Sequence, residues 1–308
     1  MRGSKNAPAK AARPPFPPRV VALVKALACE LPATLGLPLS RFSRAELRRH
    51  VLTAGIVAQI SGVTIWRWLS EDALRPWTRR SWIFPRDPHF AEKASRVLDL
   101  YHRLWEGHPL DPQDYVLSAD EKTQIQILHR CHPSTPPAPG RPMRVESEYQ
   151  RLGTCAYLAA WDVHRAALFG GVVERLSILA FDALVAHVMT QPPYCRARRV
   201  FWVVDNGTIH RGSRACERLQ ARWPNLILVH LPVHASWLNQ IEIYFSILQR
   251  KALTPADFAS PHALVERILG FQEHYQQIAR PFAWRFTRHD LARLLQRTAE
   301  RPQLAAAA

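Results

Sequence analysis

Val200-Phe201-Trp202-Val203-Val204-Asp205-Asn206-Gly207 is a run of five apolar residues closed by an acid and a turn pair. β-branched and aromatic residues in unbroken succession, bounded by turn formers, read as a strand buried on both faces. A helical pattern over 211–222 follows, and then a second apolar run, Leu226–Leu231. Strand, helix, strand is the unit of a parallel sheet. Asp205 therefore stands at the carboxyl end of a strand, where ligand-binding groups gather in α/β sheets. Asp-Asn-Gly is equally good turn chemistry, which leaves Asp205 a purely structural alternative.

Upstream, Tyr115-Val116-Leu117-Ser118-Ala119-Asp120 reads as another buried strand, continued past a kink by Ile125–Leu128. The Pro-rich run 133–142 is an exposed loop. Cys155–Trp161 and Ala166–Val173 are two strands joined at Asp162-Val163-His164-Arg165, a hairpin, and a helix over 178–190 follows. Downstream, helices are expected from Ser236 to Lys251 and from His262 to Ile278. Three strands followed by strand–helix alternation predict an α/β domain, a mixed sheet covered by helices.

Two further acids stand out. Asp120 closes an apolar strand, as Asp205 does. Glu242 borders the stripe Leu238, Ile241, Phe245 and Leu248, and a carboxylate beside the core face of a helix is costly unless a cation meets it. Three carboxylates from separate elements suit hard divalent cations, which take oxygen ligands and retain water.

The first third is all-helical in pattern. Residues 1–19 form a basic, Pro-rich arm. Ser43-Arg44-Ala45-Glu46 is a capping box ahead of Leu47, Val51 and Leu52. A short helix is expected over Ile56–Ile60, and Ser61 caps another in which Ile65, Trp66 and Leu69 make one apolar face. Two short helices broken at Ser61-Gly62 have the proportions of a helix-turn-helix over 20–75, with Thr64 and Arg67 on its reading helix. An ordinary helical hairpin is the alternative. Arg75, Arg79 and Arg80 lie in an Arg/Trp segment suited to a phosphate backbone. Residues 76–110 then read as a linker and a helix from Phe90 to Trp105, ahead of a boundary at Gly107 and Pro109.

Charge agrees with a polyanionic partner. The 308 residues carry a net charge of +16 with pI ≈ 10.4, and residues 1–110 hold 18 Lys/Arg against 8 Asp/Glu, a net +10. Five dispersed Cys without a C-x-x-C pair exclude a disulfide framework, and His129, Cys131 and His132 lack a second ligand pair at zinc-finger spacing. No stretch reaches the roughly 20 apolar residues of a membrane span. A soluble, cytoplasmic protein is expected.

Ser118-Ala119-Asp120-Glu121-Lys122-Thr123-Gln124, Val203-Val204-Asp205-Asn206-Gly207 and His234-Ala235-Ser236-Trp237-Leu238-Asn239-Gln240-Ile241-Glu242 occur in that order. With Trp66-Arg67-Trp68-Leu69 upstream and Pro281–Thr287 near the end, the chain resembles a DDE transposase of the mariner-like superfamily, bacterial insertion-sequence branch, over Arg41 to Leu291. The resemblance implies a ribonuclease-H-like catalytic domain over 111–291, followed by a tail over 292–308. Carried over residue by residue, it makes Asp120, Asp205 and Glu242 the catalytic, metal-binding triad. It places Asn206 at a neighbouring motif position where its amide would orient water or a ligand, and it leaves His234, Trp237, Asn239 and Gln240 as motif neighbours without an assigned role. The 36 residues between Asp205 and Glu242 fit the family's spacing. One departure concerns the amino end: larger relatives carry two tandem helix-turn-helix units, and one is readable here.

The implied activity is cutting the ends of an insertion sequence and joining them to target DNA. Its cofactors would be two Mg²⁺ ions, Mn²⁺ serving in their place. Its partners would be double-stranded DNA, namely terminal inverted repeats and a TA-containing target, and a second copy of the chain. Its location would be the nucleoid of a bacterial cytoplasm. A domesticated or inactive DNA-binding protein, and a ribonuclease-H-like nuclease, are the competing readings.

Overall fold

The computed structural model describes residues 16–79, 85–210 and 213–305. Residues 1–15 of the expected arm, and Arg80, lie outside them. The chain divides into two compact units, Met1–Ile83 and Phe84–Ala308.

The first unit holds helices α1 (Pro18–Cys29), α2 (Arg44–Thr53) and α3 (Gly62–Glu71), with a 3₁₀ turn at Pro32–Leu35. Proline at the first position starts α1, where its missing N–H costs nothing, so the helix begins inside the span expected to be an arm. The capping box of α2 forms as expected: Glu46 N–H donates to Ser43 Oγ, and Ser43 N–H to the Glu46 carboxylate. Val24, Phe42, Leu47, Val51, Ile60, Ile65 and Leu69 make the core.

The short helix expected over Ile56–Ile60 is absent. Gly55 sits left-handed at φ 68° behind α2, with Gly55 N–H bonded to Leu52 O and Ile56 N–H to Val51 O. That pair of bonds is a Schellman stop, and the few residues before Ser61 are too short to nucleate a new helix. The apolar face of α3 also differs. Ile65 and Leu69 are buried, but Trp66 is 45% exposed, and its neighbour Trp68 packs on the core instead.

The second unit begins with α4 (Phe90–Tyr101), which stops four residues short of the expected Trp105. Residues Leu104–Trp105 (β1) and His108–Pro109 (β2) pair as a minimal hairpin, with Arg103, Glu106 and Gly107 all at positive φ. The sheet comprises β3 (Asp114–His129), β4 (Gln150–Asp162), β5 (Leu168–Val173), β6 (Arg199–Val204) and β7 (Leu226–His230), in the order β5-β4-β3-β6-β7. β5, β4 and β3 are antiparallel, while β6 and β7 run parallel to β3. Alternate residues of the strands therefore feed two cores. On one side Val116, Phe201, Val203 and Val229 pack with α4, α7 (Ile241–Lys251) and α8 (Pro261–Ile278). On the other Leu117, Val200, Trp202 and Val204 pack with α5 (Ile178–Met189) and α6 (Ser213–Arg222).

This is the mixed sheet between helices that the resemblance implies. Two expectations need correction. The helix expected from Ser236 is a 3₁₀ turn at Ser236–Leu238, then a break at Asn239, then α7. The expected C-terminal tail enters a helix, α9 (Arg288–Ala305), which packs on α4 and ties to it through Arg288 and Asp99 at 2.7 Å. None of the described helices is long and apolar enough to cross a membrane.

Candidate active site

The register of β3 against β6 pairs Ser118 with Val203. Two residues further on, Asp120 is level with Asp205, and residues at equal level on parallel neighbours face the same side. That side is the one covered by α7, whose Ile241, Tyr244 and Phe245 share a core cluster with Val116 and Val203. Glu242 stands in the first turn of α7. Asp120 thus lies inside β3, which runs on to His129 instead of ending at the acid as expected, Asp205 follows β6 by one residue, and Glu242 starts α7; each feels the charge of the other two.

A closed hydrogen-bond network positions the first of them. Ile241 N–H, unpaired within its own helix, donates to Ser118 Oγ at 3.0 Å. With that acceptor role filled, the Ser118 hydroxyl donates to Asn239 Oδ1. The Asn239 amide must then turn its NH₂ the other way, toward Ala119 O and Asp120 Oδ2, both at 3.0 Å. The other carboxylate oxygen of Asp120 accepts Glu121 N–H at 2.8 Å. Ser118 and Asn239 are both fully or almost fully buried. The network explains the break before α7: Asn239 leaves the helical path to bind β3. Tyr101 adds a second tie from α4, donating to Leu238 O at 2.8 Å.

Electrostatics set Asp120 and Glu242 apart from ordinary surface acids. Asp120 is 8% exposed, and burial, with repulsion from Asp205, Glu121 and Glu242, pushes its carboxyl up to about 7. Burial raises Glu242 as well; Lys122 opposes the shift and Asp205 adds to it. It does so although a helix N-terminus favours a carboxylate. Like charges that repel one another at a partly buried site favour a cation between them. Among the described residues no three His, Cys, Asp or Glu side chains close in tightly enough to enclose a metal ion. The donor set is all hard oxygen, which fits Mg²⁺ or Mn²⁺ and not a soft metal.

Two neighbours escaped the sequence reading. His210, fully buried, places Nε2 3.2 Å from Asp205 Oδ1 and 3.6 Å from Glu121 Oε2. Burial disfavours its charged form, but Glu121, Asp205 and Asp120 outweigh that and raise its pKa. Glu121 adjoins Asp120 within the quoted motif and was the available signal; His210, five residues past Asp205, carried none. Gly207 N–H donates to Asp205 Oδ1 at 2.7 Å, and a Cβ at Gly207 would lie 2.9 Å from that oxygen and 3.1 Å from His210. The site leaves no room there for a side chain.

The remaining motif residues take structural positions. The Asn206 amide, expected to orient a ligand, donates instead to Leu231 O at 2.6 Å and ties the ends of β6 and β7 together. His234 is exposed at φ 60°. Trp237 packs edge-on against Phe286 at 5.2 Å, and Gln240 is 1% exposed. In the first unit Arg67, Arg75 and Arg79 are exposed. Thr64 is partly exposed, and its N–H and hydroxyl engage Ser61 Oγ at the start of α3.

Residues 115–265 match the family model of the DDE superfamily endonuclease. No match is found among curated proteins. Among solved structures, the Mos1 strand transfer complex aligns over 97% of this chain and 79% of its own at 14% identity and TM-score 0.51. The mariner Mos1 paired end complex with Mg aligns over 96% and 82% at 13% identity and TM-score 0.51. At such identity the likeness to these structures is one of fold.

Proposed function

We propose that the chain is a DNA transposase, cutting the ends of its element and joining them to target DNA, a reading supported by the match of residues 115–265 to the family model of the DDE superfamily endonuclease. The observation that carries this reading is that Asp120 of β3, Asp205 just past β6 and Glu242 of α7 each interact electrostatically with the others. These three carboxylates would hold two Mg²⁺ ions, with Mn²⁺ able to replace them. When bound, such a pair neutralises the charge that builds on a phosphate during in-line displacement.

The protein's own groups do the rest by positioning. Asn239 and Glu121 N–H fix both oxygens of Asp120 in one orientation. His210 and Gly207 N–H fix Asp205. The bond from Ile241 to Ser118 sets the height of α7, and with it Glu242. The nucleophile is then an oxygen from outside the chain, water for cutting and a DNA 3′-hydroxyl for joining.

Duplex DNA is the partner, as terminal repeat and as target, and two copies of the chain hold two ends. Paired-end and strand-transfer complexes are what the Mos1 structures are titled as. The helical region 20–75 supplies DNA affinity through Arg67 and Arg75, helped by Arg79 and Arg80 just beyond it, and 111–291 supplies the chemistry. The cell compartment is the bacterial cytoplasm, at the nucleoid.

A gel assay tests the reading. The full chain should nick a duplex carrying its element's terminal repeat when Mg²⁺ is added and not in EDTA. Asp205→Asn should lower that rate by about 10³-fold or more while DNA binding stays unchanged, because it removes a cation ligand and no phosphate contact. Nicking by Asp205→Asn at the wild-type rate contradicts the assignment.

A further inference from the structure

Beside Glu242, between β3 and α7, the second unit carries two cavities of about 250 and 190 Å³. Lys122 and Gln249 line both, which makes them two ends of one trough. Each is smaller than the roughly 300 Å³ at which small-molecule sites begin, and the lining is rich in polar side chains. The shape suits an extended chain instead.

The trough is opened by a fault in the sheet. The register of β3 against β4 breaks between Lys122 and Ile125, Gln124 takes φ 52°, and Thr123 and Gln124 are exposed. Bulges of this kind re-aim side chains next to active sites. Along the other wall, Glu242, Ser246, Gln249 and Arg250 share one face of α7. From Glu242 to Arg250 is eight residues, about 12 Å of helix, the axial length of about three nucleotides of one DNA strand.

Charge specifies the occupant. Among the described lining residues Glu242 at one end is the lone acid, while Lys122 and Arg250 are cations and Gln124 and Gln249 offer amides. Lys122 is half-buried, and its ammonium makes no hydrogen bond or close ion pair among the described residues. A cation so placed is stabilised by an anion that the ligand brings. We propose that Lys122, Gln249 and Arg250 form a phosphate track that holds the two or three nucleotides adjoining the bond to be cut, with Lys122 on the phosphate nearest the acidic centre. The proposal rests on the reading of the chain as a DNA-cutting enzyme.

Methylphosphonate linkages, which remove the charge of one phosphate at a time, test it on the full chain. Duplexes carrying the terminal repeat, each neutralised at one position near the cut, are bound with Ca²⁺ in place of Mg²⁺. For the wild type, one linkage within three nucleotides of the cut should weaken binding by about 10-fold, and Lys122→Met should do the same on unmodified DNA. On that one modified duplex Lys122→Met should lose nothing further, because the contact is already gone. Arg250→Gln, an exposed change with no bearing on folding, should behave likewise at a linkage farther from the cut. Losses that multiply at every linkage, or wild-type binding by both variants, overturn the track while leaving wild-type nicking intact. A wild type that neither binds nor nicks the repeat instead defeats the DNA-cutting reading, and the track with it.

Discussion

At the scale of single residues, the centre is organised by groups that do not themselves meet a cation. Ser118 is the clearest. Its hydroxyl accepts from Ile241 N–H and donates to Asn239, and that direction of donation forces the Asn239 amide to face Asp120. Ser118→Ala should leave Ile241 N–H unpaired, lower stability by about 1–3 kcal/mol, and free Asn239 to turn its carbonyl toward the carboxylate. The expected result is a cleavage rate down by about 10-fold with DNA affinity unchanged, partly rescued by Ser118→Thr. Equal rates for Ser118→Ala and wild type would show that Asp120 needs no such support. The sequence displayed the three acids, because apolar strand runs and a helix stripe are periodic signals, but it ended the first strand at Asp120, whereas β3 runs on to His129. It did not display His210 or the duty of Asn239, because both depend on which loop folds back on which strand. The Asn206 amide was read as a ligand group and is committed to Leu231 O for the same reason.

At the scale of elements, the pairing of β3 with β6 brings Asp120 level with Asp205, and one ion pair secures its start. Asp114, fully buried at the head of β3, accepts from the guanidinium of Arg199 on β6 at 3.1 and 2.6 Å. Burial by itself would raise the Asp114 carboxyl, but the Arg199 hydrogen bond and charge outweigh it and hold it below its ordinary 3.8. A carboxyl depressed in the folded state contributes stability that is present above its unfolded value and is lost as the pH falls through the folded one. Thermal unfolding should therefore show a loss of stability below about pH 4 that Asp114→Asn removes. Arg199→Met should destabilise by about 3 kcal/mol at neutral pH, since it strands a buried charge. A pH profile of Asp114→Asn identical to wild type would contradict this account of the strand pair.

Strands and long helices of this unit were legible from apolar runs and turn residues. The errors fell where a local stop overrode the pattern. Gly55 closes α2 and prevents the short helix after it, and Asn239 interrupts α7 to serve the neighbouring strand. α9 was missed because its arginine-rich sequence shows a narrow apolar stripe, of which Leu291 is buried.

At the scale of the whole molecule, charge and chemistry are divided between the two units. Met1–Ile83 holds 14 Lys/Arg against 4 Asp/Glu, whereas Phe84–Ala308 holds 27 against 21, Asp120, Asp205 and Glu242 among them. A basic helical unit and a sheet unit with a carboxylate centre are the division expected of an enzyme that binds a long polyanion and reacts at one bond of it. On the proposed reading, Asp120, Asp205 and Glu242 make one divalent-cation site. Counting bound Mn²⁺ by electron paramagnetic resonance, with the full chain on terminal-repeat DNA, tests it most directly. Two ions per chain are expected for the wild type, and Glu242→Gln should lose one or both while still holding the DNA. Wild-type Mn²⁺ binding by Glu242→Gln, at the same number and affinity, would contradict the claim.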